Sequence, residues 1–524
     1  MHDAVPLLHD YLTHSAARVP EKVALVCGPR RITYGALTAR AHQMAWALRR
    51  RGVRRGDRVL VFVDNTVEFA ISFWGALEAG AVAVPINPLT RTDKLAWLLN
   101  DCTATALITQ AQLAPVFAPA VRQAPALAAV LIAGPPEAEA IAGLPGVADF
   151  DTALDAERGD APPPRQGIDL DLSALIYTSG STGEPKGVML THRNMLTAAS
   201  SISQYLGLRE DDVILCAMPL AFDYGLYQML MSVRQGARLV LERSSVLPAQ
   251  LLKQVELERV TVVPGVPTLF MLLAQVADRV AWDRSSVRTV TSSGAALQAQ
   301  QIATLGAMFP NARIFSMYGL TECKRCTYLP PEELARRPGS VGIAIPNTEL
   351  WLVDEQGNRL GPNQVGQLVI RGATVMQGYW GKPEESAQRL KPGPLPGERV
   401  LYTGDLCRLD EEGFLYFVGR MDDIIKSRGE KVAPAEVEAA IHAIPGVKEV
   451  AVIGVPDEIL GRAVKAFVVL EEGSALTERE LRHECQQRLE GFMVPRHFEL
   501  MSSLPRTQTG KLSKKGLSPE GKRE

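Results

Sequence analysis

An α/β fold of two or more domains is predicted, and three observations predict it. The chain has 524 residues, more than one hydrophobic core can serve. Strand-like and helical patterns alternate through the opening third and again beyond residue 210, as in a parallel sheet covered on both faces. Near the C-terminus, Val450 to Val455 and Ala463 to Leu470 read as strands and LRHECQQRLEGFMVP as a closing helix, outlining a smaller α+β module of about a hundred residues.

Taken in order, Ile32-Thr33-Tyr34 starts a short strand and turn, and Ala36 to Arg51 carries amphipathic helical spacing. RRGDRVLVFV turns into a strand, VEFAISFWGALEAG reads as a helix stopped by Gly80, and AVAVPIN is a buried strand. The cluster Arg49, Arg50, Arg51, Arg54 and Arg55 is expected to be a solvated helix end rather than a phosphate site. From Gln112 to about Arg165 the chain is rich in alanine and proline and reads as surface helix and linker. A second run of α/β units follows in VILCAMPL, ARLVLE, VTVVPGVP and SVRTVTSSG, and VGQLVIRGATVMQGYW has the alternation and glycines of a β region. No internal repeat is found.

A formal net charge of -2 gives no general reason to expect nucleic acid or an anionic membrane as partner. The apolar runs are short and interrupted, so no membrane span is expected. MHDAVPLLHDYLTH lacks the basic region and long apolar core of a signal peptide, and a cytoplasmic location is expected. The seven cysteines are scattered and odd in number, which suits reduced thiols. Cys323 and Cys326 form the one close pair, too little for a zinc site, and read as two small side chains near a pocket.

The chemistry concentrates in YTSGSTGEPKG, Tyr177 to Gly187, which follows the buried run Leu172 to Ile176 and precedes a helix starting near Thr191. Glycines let backbone N–H groups approach an anion, hydroxyls add donors to phosphate oxygens, and Lys186 adds a point charge. The ending is not that of a Walker A loop, because Gly183 is followed by Glu184-Pro185-Lys186.

The whole string resembles the phosphate loop of the adenylate-forming superfamily: acyl-CoA synthetases, aryl-CoA ligases, firefly-type luciferases and peptide-synthetase adenylation domains. The resemblance runs in the family's order as far as Lys511. It implies ATP and Mg2+, with Thr178, Ser179, Gly180, Ser181, Thr182, Gly183 and Lys186 on phosphate. By the same resemblance, SSGAAL would place Gly294 beside adenine, and in MYGLTE Tyr318 would stack on adenine next to Gly319, Thr321 would donate to the α-phosphate, and Glu322 would ligate magnesium. Asp405 in YTGD would accept from the ribose hydroxyls, and Arg420 would hold ribose or phosphate. The family's small C-terminal domain is mobile. Here the resemblance implies an adenylation domain over 1 to 420 and a mobile domain over 421 to 524, with its hinge at Asp422, Gly429 in a thiol channel, and Lys511 entering the site for adenylation only.

In MPLAFDYG, Phe222 and Gly225 match positions that border the acid, and Asp223 falls where amino-acid-activating members meet an α-ammonium group. Asp223 can equally cap a helix beginning at Tyr224. Cys323, Lys324 and Arg325 depart from the small or apolar residues expected there, and Cys323 and Lys324 are candidates for the acid pocket; the two cations either pair with an anionic substrate or partner or face water. The resemblance implies that a small carboxylic acid is activated as acyl-AMP and passed to the thiol of coenzyme A. A stand-alone enzyme loading a phosphopantetheine carrier protein, with no carrier domain fused, is the alternative. An inactive nucleotide- or carrier-binding scaffold is the alternative of another class.

Overall fold

The computed structural model describes residues 6 to 179, 185 to 243, 247 to 294, 297, 299 to 423, 425 to 427, 430 to 457, 461 to 489, 491, 493 to 506, 512 to 514 and 517. The chain divides into two compact units. The first takes Met1–Pro338, Gly342–Glu349 and Ile370–Leu401; the second takes Gly339–Val341, Leu350–Val369 and Tyr402–Glu524.

In the first unit, short and mostly apolar strands are buried on both faces, as parallel strands between helical layers must be. Arg58–Phe62 lies parallel between Val82–Pro85 and Ala106–Gln110, and Val59, Leu60, Val61 and Phe62 have no exposed surface. A second sheet runs in parallel register through Thr289–Ser292, Val262–Gly265, Val213–Cys216, Arg238–Leu241 and Val23–Cys27. Helix Val67–Glu78 is largely apolar and buried along almost its whole length, its buried Glu78 carboxylate meeting His42 at 2.8 Å. Its end before Gly80 (φ +81) is where the sequence placed it. All seven cysteines are free thiols.

Two expectations are corrected here. The alanine- and proline-rich stretch after Gln112 is not linker: Ala129–Ala133 and Val147–Asp149 are strands that extend the eight-stranded sheet, and Phe117, Val130 and Leu131 are core. Alanine-rich composition resembles a linker, but small side chains also let helices sit close to a sheet. The phosphate segment does not pass directly from strand to loop to helix. Leu172–Ser179 turns back as a second strand, Pro185–Thr191, paired antiparallel from Leu172 opposite Thr191 to Ser179 opposite Pro185. Lys186 and Gly187 are therefore strand residues.

The hairpin hands over to helix His192–Leu206 through a capping box. Thr191 Oγ1 accepts from Asn194 N (3.1 Å), and Asn194 Oδ1 accepts from Thr191 N (2.9 Å). Asn194 Nδ2 also donates to the carbonyls of Ala373 (2.7 Å) and Val375 (2.9 Å), tying the helix start to the segment entering the Gly378–Tyr379 strand.

The second unit holds the antiparallel ladder of Asp405 to Leu409 with Leu415–Arg420 and a five-stranded C-terminal sheet. The long hairpin Val447–Asp457 with Gly461–Leu470 forms the centre of that sheet. Helix Pro434–His442 and the closing helix, Glu478–Arg488, supply Val437, Ile441, Leu481 and Cys485 to a core shared with Val452, Val464 and Val468. The closing helix starts earlier than its apolar pattern suggested because Thr477 and Glu480 form a second capping box.

Asn194→Ala removes one of the two capping-box bonds, the donor to the buried Val375 carbonyl and the donor to the carbonyl of exposed Ala373. It should cost about 2–3 kcal/mol of stability, measured as a lower denaturant midpoint with an unchanged slope.

Candidate active site

Strand Arg313–Leu320 and strand Lys324–Leu329 pair antiparallel around the turn that carries Thr321, Glu322 and Cys323. Gly319 is required there: a Cβ on it would lie 1.9 Å from the carbonyl oxygen of Lys324. Tyr318 sits opposite Thr327 and is half-buried. The turn is pinned from two sides. Met376 N donates to Glu322 O (2.8 Å), and Lys324 Nζ donates to Thr321 O (2.9 Å).

The Glu322 carboxylate accepts a hydrogen bond at Oε1 from Tyr379 Oη (2.8 Å). Tyr379 reaches it because the two-residue strand Gly378–Tyr379 pairs with the phosphate hairpin, Tyr379 opposite Val188 and Gly378 opposite Met189. That register puts the tyrosine ring beside Lys186, whose Nζ lies 5.4 Å from the ring centroid. Lys186 is ion-paired with Glu385, and the lysine holds the Glu385 carboxyl below its usual range. Lys186 and Glu322, 136 positions apart in the sequence, thus meet on one aromatic side chain. Tyr379 was missed from the sequence; its place in QGYW next to a β region was the only signal.

At the other end of the hairpin, Tyr177 Oη bonds the Asp101 carboxylate and its ring stands edge-on to Trp97, centroids 6.1 Å apart. Burial pushes the Tyr177 hydroxyl to a higher pKa, so it stays a donor. Thr178 pairs with Lys186 across the hairpin. Gly180, Ser181, Thr182 and Gly183 lie outside the described residues, and of Ser179 only the backbone is described.

Phe222 precedes helix Asp223–Gln235, so Asp223 is its first residue and caps nothing, contrary to the capping alternative. Gly225 is sterically necessary, since a Cβ would sit 2.3 Å from Pro219 O. Asp223 is one-fifth exposed and lies 3.5 Å from Arg325 Nη1, while the Arg325 guanidinium covers the Tyr224 ring at 4.4 Å. Neither Lys324 nor Arg325 faces water: their exposures are 0% and 2%. Lys324 also adopts φ +65, a left-handed conformation that costs a side-chain-bearing residue roughly 1–2 kcal/mol. Burial lowers its pKa to about 8, opposed by Asp223 and Glu322. Cys323 and Cys326 are fully buried with sulfurs 3.1 Å apart, and their mutual hydrogen bond and burial push the Cys323 thiol up. Cys323 and Lys324 therefore present no surface to a substrate here. Gly294 has φ +95 and follows strand Thr289–Ser292.

In the second unit Asp405 is buried and sits opposite Arg420 in the ladder, with Arg420 Nε 3.4 Å from Oδ1. Thr403 Oγ1 accepts from Asp405 N (3.1 Å) and donates to Leu368 O (2.8 Å), which fixes the strand at the aspartate. Asp422 lies in a single 3-10 turn, Met421–Asp423; its side chain, like Gly429 and Lys511, lies outside the described residues.

These strands and motifs can be compared with those of known proteins. The model of the AMP-binding enzyme family matches residues 12–380, and that of the AMP-binding enzyme C-terminal domain matches residues 436–511. The chain belongs to the AMP-binding, adenylate-forming enzyme family. It is an AMP-forming acid–thiol ligase. A long-chain-fatty-acid–CoA ligase of Bacillus subtilis is 31% identical, covering 98% of this chain and 94% of that protein. A feruloyl-CoA synthase of Amycolatopsis is 34% identical, covering 94% and 95%. ATP-bound MatB from Rhodopseudomonas palustris superposes with a TM-score of 0.86 at 27% identity, covering 97% of this chain and 98% of that one. Among the described residues no helix is long and apolar enough to cross a membrane.

Because the folded-state pKa of Lys324 lies below that of an exposed lysine, the unfolded chain binds more protons between about pH 8 and the ordinary lysine value of 10.5. Stability should therefore gain a rising contribution across that window. Lys324→Met should lose this slope, seen by comparing denaturation midpoints of the two proteins at several pH values.

Proposed function

We propose that the protein is an AMP-forming acyl-CoA ligase acting on an acyl or aryl carboxylic acid. The observation that carries this is the meeting of Lys186 and Glu322 on Tyr379, which joins a phosphate-type loop to a carboxylate suited to a hard cation. The relatives named for long-chain fatty acids and ferulate support the acid class and coenzyme A as acceptor.

Magnesium fits Glu322: it is an oxygen donor with one oxygen engaged by Tyr379 and the other left for a metal. When bound, the metal neutralises charge on the phosphate oxygens of ATP. Everything else falls to the chain's own groups. The substrate carboxylate oxygen attacks the α-phosphorus, the bond to the β-phosphate oxygen breaks, and pyrophosphate leaves with that electron pair. Lys186 steadies the leaving group, Thr321 donates to the α-phosphate, and Lys511 holds the carboxylate and α-phosphate together. Asp405 and Arg420 take the ribose, and Tyr318 and Gly294 the adenine. Ser179, Gly180, Ser181, Thr182 and Gly183 are assigned, with Lys186, to the leaving pyrophosphate. Positioning and charge stabilisation supply the rate, and no covalent enzyme intermediate is needed.

Rotation about Asp422 then withdraws Lys511 and admits the thiol past Gly429. The sulfur attacks the acyl carbonyl, its proton is released, and AMP leaves. An amino-acid substrate and a carrier-protein acceptor form the second reading. It rests on Asp223, but Arg325 already meets that charge, which favours acids without a cationic α-group.

ATP–pyrophosphate exchange across fatty, aryl and amino acids tests the assignment. Exchange with fatty or aryl acids, little changed in Asp223→Ala, is expected; exchange restricted to amino acids and lost in Asp223→Ala would establish the second reading. Failure of every acid would favour a scaffold. Lys511→Ala should lose acyl-AMP formation by at least about a hundredfold yet still convert supplied acyl-AMP and coenzyme A to thioester, with equal loss of both steps counting against domain alternation.

A further inference from the structure

Tyr379 belongs to neither of the motifs that announce the site, yet it touches a residue of each. Its hydroxyl donates to Glu322 Oε1 at 2.8 Å, and its ring faces Lys186 Nζ at 5.4 Å. Its backbone is fixed on both sides. Tyr379 N donates to Ser386 Oγ (2.8 Å), Trp380 N donates to Gly187 O (2.8 Å), and Gln377 N donates to Met189 O (2.9 Å). The residue as a whole is 5% exposed. A hydroxyl so mounted has little freedom to seek another acceptor, so Glu322 is held by a rigid partner rather than by solvent.

We infer that Tyr379 is a positioning residue that sets Glu322 for the metal and couples metal binding to the phosphate lysine; this rests on the assignment of magnesium to Glu322. The chemistry is additive in direction. A hydroxyl donating to a carboxylate fixes which oxygen remains for the cation, and it lowers the rotamer freedom lost when the cation binds. The same donation enriches the ring in electron density, which strengthens its hold on the Lys186 ammonium. A carboxylate that could rotate freely would bind the cation in several orientations, of which one suits the phosphates.

The test is equilibrium binding of ATP by calorimetry, with and without Mg2+, to the full chain and to Tyr379→Phe, which keeps the ring and removes the donor. Mg2+ should strengthen ATP binding to the Phe variant about three- to tenfold less than to the native chain, while metal-free ATP binding stays within a factor of about two. In a Glu322→Gln background the Tyr379→Phe change should have no further effect on the Mg2+ dependence, because the tyrosine acts through that carboxylate. Full Mg2+ enhancement in Tyr379→Phe, equal weakening with and without metal, or simple additivity with Glu322→Gln would each overturn the inference. Tyr379→Leu, which also removes the ring, provides the same comparison if the Phe variant folds poorly and should additionally weaken metal-free ATP binding. A native chain whose ATP binding ignores Mg2+ would overturn the metal assignment itself, an outcome separate from any difference between variants.

Discussion

The antiparallel pairing of Gly378–Tyr379 with Pro185–Thr191 is the constraint on which the site depends. Two ladder positions are enough to carry one end of the nucleotide machinery to the other. The hairpin fixes Lys186, the short strand fixes Tyr379, and the tyrosine fixes Glu322. Asn194 adds a second tie by clamping the approach to the short strand through two carbonyls while it caps the helix after the hairpin. Backbone geometry therefore does the gathering, and few side chains need to be specified to complete it.

Around this frame the charges are arranged in opposed and enclosed sets. Asp223, Glu322 and Arg325 all lie close enough to Lys324 to act on its ammonium, and two of the four are buried cations. Burying ions is expensive unless they are paired and hydrogen-bonded. The Lys324 ammonium meets the Thr321 carbonyl, and Arg325 meets Asp223 and the Tyr224 face. The enclosed charges thus brace the turn that carries Thr321 and Glu322, and the left-handed backbone of Lys324 is tolerated within that brace.

Much of this was legible along the chain, and the exceptions have physical causes. Lys186 stands in a string whose glycines and hydroxyls suit phosphate, and Glu322 was marked by the resemblance of MYGLTE to the family's motif. The alternation of apolar runs and helical spacing gave the sheets, because burial on both faces leaves a continuous hydrophobic signature. Tyr379 was not legible, since its partner is 57 residues away and the strand that delivers it has two residues, too short for any periodicity. For Lys324 and Arg325 the sequence left open an anionic partner or water, because charge type alone does not say what surrounds it; only packing shows them enclosed. The second hairpin strand was hidden because PKGVMLT begins with a proline, a lysine and a glycine, which mark loops more often than strands.

The short strand has one more consequence, for solubility. Pro185–Thr191 would otherwise be the rim of the eight-stranded sheet, a row of open backbone donors and acceptors able to template another chain. Gly378–Tyr379 covers part of that rim and is itself too brief to recruit a further strand. Trp380 and Gln377 extend the cover by donating their N–H groups to the rim carbonyls of Gly187 and Met189. The segment that carries the tyrosine is thus also the one that guards the sheet edge, so loosening it would expose the protein to self-association as well as disturb its chemistry.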